Sequence, residues 1–187
     1  MFDKTKHIIS NSSVVILLAT LFFSCANDIK EVRDFLADKN LPIGISTEIH
    51  SVYKDSGRIS TLIKSPLVND FSNRKEHPYS EFPKGIKITK IAKNLDSTTV
   101  TGSYAITYSK TQISEIRGDV VVVNHAKNYT LRTDQLFWDQ KEHYFTTEKE
   151  FTLITPKDTL YGVGFESSES LSNWQAKNNR GNLSVKE

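Results

Sequence analysis

The chain has 187 residues, of which 37% are hydrophobic and 25% are charged, and its formal net charge is +2. This length favours one domain with a short additional segment. Nucleic-acid binding requires a clustered basic face, so a nearly neutral chain with dispersed Lys and Arg argues against that function. The single cysteine, Cys25, excludes an intrachain disulfide and a cysteine-based zinc cluster.

The first 24 residues have the pattern of a secretion signal. Lys4 and Lys6 form a basic start, and an apolar run follows over residues 14–23. This run is shorter than the roughly 20 residues that cross a bilayer, so it predicts a signal peptide at 1–24. Residues 21–25, LFFSC, resemble a bacterial lipobox, in which the cysteine receives a diacylglycerol. We therefore predict lipidation at Cys25; the alternative is an uncleaved anchor with a cysteine there by chance.

Residues 25–41 are predicted to form a charged tether with one or two helical turns. The apolar residues of this segment recur at helical spacing, but the segment is short. Pro42 is expected to end it, because the residue before a proline avoids the α region. The folded domain is accordingly predicted over residues 42–187.

From residue 42 onwards, short β patterns alternate with turn signals. Segments 47–53 and 58–63 flank a turn at Asp55-Ser-Gly57, which predicts a hairpin. The polar stretch 72–81 is predicted to be a loop. Further strands are predicted near residues 86–91, 99–108, 120–123, 129–138, 145–154 and 159–162. Short strands at this spacing indicate an all-β sandwich or barrel.

The region 115–139 is the centre of this pattern. Its four consecutive valines, residues 120–123, favour a strand, and a polar turn separates them from a second strand. The apolar residues of the second strand share one face only if the strand bends near Asp134. We expect the Asp134 carboxylate to cap backbone N–H groups at this bend. A weaker copy of the pattern at 99–108 suggests a stacked or rolled sheet.

The sequence carries no convincing catalytic pattern. The histidines are scattered and lack metal-ligand spacing. Gly162 and Gly164 lack the third glycine and the helix of a phosphate-binding loop. Glu148 and Glu150 could mimic a catalytic carboxylate pair, but solvated charges on one strand face are far commoner. We predict that the protein is not an enzyme and that it has no metal site and no cofactor.

Apolar residues around the β framework are the remaining candidates. Seven of them can point to one interior: Val120, Val122, Leu131, Leu136, Trp138, Phe151 and Leu153. A filled core would explain every one of these residues. A sheet that is rolled but not sealed would instead offer an apolar trough to acyl chains. Periodicity leaves both alternatives open.

Several segments together resemble the LptC family of lipopolysaccharide-export components, in its Bacteroidetes-type lipoprotein form. They are the lipobox at Cys25, FPKGI at 82–86, GDVVV at 118–122, LRTDQLFW at 131–138, and the region 162–174 with Gly181. The resemblance covers roughly residues 40–185. It implies an open β-jelly-roll of the OstA/LptA-like type, whose interior receives the acyl chains of lipopolysaccharide. The seven apolar residues then become candidate lipid-binding residues.

The resemblance also implies a location and a set of partners. The protein would be lipid-anchored at the periplasmic face of the inner membrane. There it would accept lipopolysaccharide from an inner-membrane ABC transporter complex and pass it to an LptA-like periplasmic protein by edge-strand pairing. The alternative is a generic β-rich bacterial surface lipoprotein that acts as a binding or adhesion module. Crosslinking to lipopolysaccharide would discriminate, since a filled-core adhesin should capture none.

Overall fold

The computed structural model describes residues 29–180, with side chains described as far as residue 178. The predicted signal peptide at 1–24, the predicted lipidation site Cys25 and the glycine at 181 lie outside the described residues. Across residues 29–180, no helix combines the length and the apolar character that crossing a membrane requires. The described strands belong to one compact unit, which begins at residue 36.

Helix α1, Ile29–Asp38, corresponds to the helical turns predicted for the tether. It ends before Pro42, because Asn40 adopts a left-handed conformation with φ of 57°. The Leu41 amide donates to Leu36 O at 2.8 Å, and the Asn40 amide donates to Ala37 O at 3.0 Å. These two bonds form a Schellman motif, which satisfies the last carbonyl groups of the helix. The helix thus ends before the residue that precedes Pro42, and the Schellman motif is the local contact at its end.

Eleven antiparallel strands follow within the described residues, which confirms the all-β class. They are β1 Gly44–Asp55, β2 Arg58–Phe71, β3 Tyr79–Phe82, β4 Ile86–Ile91, β5 Ser97–Gly102, β6 Tyr104–Tyr108, β7 Ile113–Asn124, β8 Tyr129–Asp139, β9 Tyr144–Ile154, β10 Thr159–Ser168 and β11 Trp174–Arg180. The strand order is β11-β10-β9-β8-β7-β5-β4-β2-β3-β6. In addition, β1 pairs with β2, and β6 pairs with β7.

The sheet is rolled because two long strands change partners midway. Strand β7 pairs with β6 through residues 113–117 and with β5 through residues 121–124. Strand β2 pairs with β4 through residues 61–64 and with β3 through residues 69–71. Since β3 also pairs with β6, strands β2, β4, β5, β7, β6 and β3 form a closed circuit. This arrangement is consistent with the expected jelly-roll.

Neighbouring strands bend at aligned irregularities. The register shifts between Arg117 and Val120 in β7, and between Thr133 and Phe137 in β8. A further shift lies at Val163–Phe165 in β10. Bulges increase local bending and twist, so a line of them across adjacent strands folds the sheet. The bend predicted near residue 134 is thus confirmed.

The side chain that stabilises the bend is not the predicted one. Asp134 is exposed, and its carboxylate makes no hydrogen bond within the described part of the chain. The hydroxyl of the neighbouring Thr133 lies 2.8 Å from Glu150 O, to which it donates, and 3.2 Å from Thr147 Oγ1. Thr133 is 9% exposed. The residue that ties β8 to β9 therefore points inward, and the capping role expected for Asp134 was wrong.

Two predicted boundaries also differ from the structure. The polar stretch 72–81 contains the start of β3, which pairs with β2 on one side and with β6 on the other. The predicted single strand at 99–108 is divided at Ser103, whose amide donates to Gly118 O at 2.9 Å. The division lets β5 and β6 pair with different halves of β7. Gly85 has φ of 90°, and a Cβ there would lie 3.0 Å from Gly102 O, so a side chain would disturb this junction.

Candidate lipid-binding interior

The seven predicted apolar residues come together in one core. They lie on β7, β8 and β9, and none is more than 3% exposed. They pack with residues of β3, β4, β5, β6 and β10 in a single hydrophobic cluster. We call the space that this cluster occupies the interior. Side chains fill the interior in this structure.

A continuous apolar row crosses the interior from strand to strand. Each member is the register partner of the next: Ile88, Val100, Val122, Leu131, Leu153 and Leu160. All six are at most 3% exposed. With neighbouring strands about 4.8 Å apart, the row is about 24 Å long. It runs across the strands, perpendicular to the chain direction, so no local sequence pattern displays it.

Aromatic side chains pack in the same interior. The ring centroids of Trp138 and Phe145 lie 5.6 Å apart in a tilted arrangement. Phe165 lies 4.9 Å from Phe151 and 6.0 Å from Trp174. Sequence reasoning missed Phe165 as a core residue. Its strand bulges at Gly164, whose φ is 77°, so the period-two alternation that marks a buried face is interrupted there.

The last residue of β10 and the loop that leads to β11, together residues 168–173, pack against the interior. Its Leu171 is fully buried, although its φ of 53° lies in the left-handed region. The side-chain amide of Asn124 donates from Nδ2 to Ser170 O at 2.8 Å. Lys127 Nζ donates to Ser172 Oγ at 2.6 Å. We call residues 168–173 the plug, because Leu171 fills the core from a loop that lies at its surface.

A polar contact fixes Trp138 beside the plug. The indole Nε1 donates to Glu169 Oε1 at 2.6 Å. The other carboxylate oxygen of Glu169 lies 3.1 Å from His143 Nδ1. Since Trp138 is 1% exposed, this carboxylate satisfies an otherwise buried donor. The plug and Trp138 are therefore linked.

A charged cluster braces the bend where β7 meets β8. Glu115 is 9% exposed, and it accepts a hydrogen bond from Arg117 Nε at 2.7 Å and another from the Gln135 amide. The bond from Arg117 holds the pKa of Glu115 below its usual value despite burial. The same bond raises the pKa of Arg117. Through these hydrogen bonds, the cluster joins β7 to β8 at the bend.

A second polar contact lies on β3 and β6. Tyr104 donates to Glu81 Oε1 at 2.8 Å. Burial, together with this bond, raises the pKa of Tyr104 to about 12. The phenol therefore stays neutral at physiological pH and remains a donor. Within residues 29–180, no group of three His, Cys, Asp or Glu side chains is placed to hold a metal ion.

A groove of about 1290 Å³ lies at the line of bulges across β7–β11. Exposed Tyr161 and Val163 line it together with side chains of both charges. Of the seven candidate residues, Val120 and Phe151 also line this groove. The groove thus approaches the interior at the bulges, whereas Leu131 and its neighbours in the apolar row are covered.

A large antiparallel sheet rolled around one apolar interior is consistent with an all-β jelly-roll. The chain belongs to the LptC family: the family model described as "Lipopolysaccharide-assembly, LptC-related" matches residues 14–181. This match confirms the resemblance inferred from the sequence. The family acts in lipopolysaccharide transport, binds lipopolysaccharide, and is periplasmic and associated with the inner membrane. No curated protein matches this chain.

Proposed function

We propose that this protein accepts lipopolysaccharide from an inner-membrane ABC transporter complex and passes it to an LptA-like periplasmic protein. Its lipid-modified Cys25 would keep it at the periplasmic face of the inner membrane. The observation that supports this role best is the apolar row across six strands. Its length of about 24 Å exceeds the roughly 15 Å that one leaflet of acyl chains occupies.

Acyl chains enter this interior by replacing contacts between side chains. Each buried CH₂ group is worth about 0.8 kcal/mol, whether it belongs to a lipid or to a protein side chain. The exchange is therefore close to neutral, which suits a carrier that must release its cargo. The plug is the proposed moving part, because polar bonds at its surface hold it and a single leucine anchors it in the core.

The edges of the sheet are the proposed docking surfaces. Within the described residues, β1 pairs with β2 alone, and β11 pairs with β10 alone. Strand β1 is 12 residues long and exposes Ile45, Val52 and Tyr53. A free edge presents unpaired N–H and C=O groups that another strand can extend. One edge would receive the transporter complex and the other the LptA-like protein.

Site-specific photo-crosslinking in the presence of the transporter and ATP tests the lipid path. A photo-crosslinking residue at Leu131 should capture lipopolysaccharide, because this position lies at the centre of the apolar row. The matched control is the next residue, Arg132, which is exposed on the opposite face. Equal capture of lipopolysaccharide at both positions would contradict a lipid path through the interior. Capture at neither would favour the generic surface lipoprotein.

A second crosslinking experiment tests the edge. Photo-crosslinkers at Ile45 and Val52 should capture a subunit of the transporter or the LptA-like protein. Leu95 is the control, since it is 79% exposed and lies in the turn between β4 and β5 rather than on the edge strand. Capture at Leu95 as efficient as at the β1 positions would indicate non-specific hydrophobic contact.

A further inference from the structure

The apolar row is accompanied by a polar row on the same face of the sheet. Its members are also register partners: Tyr53, Thr61, Lys90, Thr98, Asn124 and Tyr129. Lys90 lies two residues after Ile88, and Asn124 lies two residues after Val122. Because strand side chains alternate, residues two apart point to the same face. The interior therefore changes from apolar to polar along the strand direction.

Lys90 is the charged member of this row, and it reaches into the interior. Its Nζ lies 5.7 Å from the ring centroid of Trp138. Trp138 on β8 pairs with Ser114 on β7. Ser114 lies in the half of β7 that pairs with β6, and the other half of β7 pairs with β5. The contact therefore crosses from one wall of the interior to the other. Lys87, on the same strand, is exposed on the opposite face.

The charge of Lys90 is not neutralised within the described residues. No carboxylate among them lies within 4.0 Å of its Nζ. The nearby Glu169 accepts the Trp138 indole N–H at 2.6 Å and also contacts His143, so it lies at the edge of the ring while Lys90 lies over its face. A cation over an indole ring is favoured by the quadrupole of the ring. The ammonium group thus lies half-buried over the indole ring, without a carboxylate partner among residues 29–180.

We propose that Lys90 binds the phosphate-bearing headgroup of the lipid whose acyl chains occupy the apolar row. This inference rests on the function proposed above. An amphipathic ligand needs an apolar surface that ends at a complementary charge, and the two adjacent rows provide both. Lysine binds phosphate as a point charge. The hydroxyl groups of Thr61 and Thr98 flank Lys90 in register and supply further hydrogen bonds.

Binding of lipopolysaccharide to the full-length protein tests this assignment. The probes are lipopolysaccharide and the same preparation after enzymatic removal of its lipid A phosphates. We expect Lys90→Met to weaken binding of the phosphorylated form about tenfold and to leave binding of the dephosphorylated form unchanged. Lys90→Arg should retain binding, and Lys87→Met serves as the control on the exposed face. Added salt should weaken binding by the wild type more than by Lys90→Met.

The outcomes separate this inference from the function on which it rests. If Lys90→Met binds both preparations as the wild type does, Lys90 is not the headgroup site, although the lipid path stands. If the variant loses affinity for both preparations equally, Lys90 is structural. If the wild type binds neither preparation, the proposed function itself fails. Competition by millimolar inorganic phosphate against lipopolysaccharide would indicate a site for free phosphate and overturn the assignment to a lipid headgroup.

Discussion

Strands β8 and β1 have similar lengths and opposite environments. In β8, Leu131, Leu136 and Trp138 are at most 1% exposed. Strand β1 buries no residue, and it exposes Ile45 and Val52. The difference follows from position, because β8 has a strand on each side and covers the interior, whereas β1 is an edge. The apolar residues of β8 thus stabilise the core, whereas those of β1 remain available for contact with a partner.

The largest expected effect comes from a charge in the centre of β8. Leu131→Asp would bury an unpaired carboxylate at a fully buried position, at a cost of several kcal/mol. We expect the domain to lose cooperative unfolding in thermal denaturation. The matched control, Arg132→Asp, changes an exposed position and should alter stability by less than about 0.5 kcal/mol. A folded Leu131→Asp protein would mean that the interior is open to water at this point.

The second largest effect on stability is expected from truncating the buried leucine of the plug, which tests whether the plug belongs to the interior. Leu171→Ala removes a fully buried side chain and should lower the free energy of unfolding by about 2–5 kcal/mol. The same truncation at Leu95, which is 79% exposed, should have little effect. Denaturant titration measures both. Similar small changes for the two variants would place the plug with the exposed edge rather than with the core.

The bend in β8 provides a smaller effect that separates two neighbouring residues. Thr133→Val removes a buried hydroxyl and leaves Glu150 O without this donor, so it should cost about 1–3 kcal/mol. Asp134→Ala should stay within about 0.5 kcal/mol, because the carboxylate is exposed. The midpoints of denaturant unfolding of the two variants show which of the two side chains stabilises the bend. The reverse ranking would restore the capping role to Asp134.

Acid sensitivity tests the charged cluster at the bend. The folded-state pKa of Glu115 is lowered, chiefly by its hydrogen bond from Arg117. Its contribution to stability is therefore complete above the ordinary value of 4.5 and is lost as the pH falls through the lowered pKa. Glu115→Gln should flatten the decline in stability below about pH 4.5. Glu142→Gln, at an exposed position, should leave the decline unchanged; an identical decline in Glu115→Gln would show that this carboxylate is not the group responsible.

The smallest effect on stability is expected at the edge. Val52→Thr on β1 should alter the free energy of unfolding by less than about 0.5 kcal/mol, since the side chain is 54% exposed. If β1 docks a partner, this variant should nevertheless reduce capture of that partner by a crosslinker at Ile45. A marked loss of stability with unchanged capture would show that β1 belongs to the core and would end the contrast with β8.

The sequence by itself determined the class of the fold and seven of the residues in its interior. Alternation placed Leu131 on a buried face, and the change of phase near residue 134 predicted the bend. These features are local, because a side chain's face depends only on its position along its own strand. The family was also recognisable, because several short segments occur in a fixed order along the chain.

Only the tertiary structure decided which residues meet. Strand β3 forms in a polar stretch because it gains partners on both sides, and Leu171 is buried because its loop folds back over the core. Lys90 approaches Trp138 only when the two walls of the interior face each other. The pairings of β3 and the contact of Lys90 with Trp138 join residues between 8 and 48 positions apart, and their formation depends on how β2 and β7 divide their partners. No local pattern records that division, because it is set by pairing between distant strands.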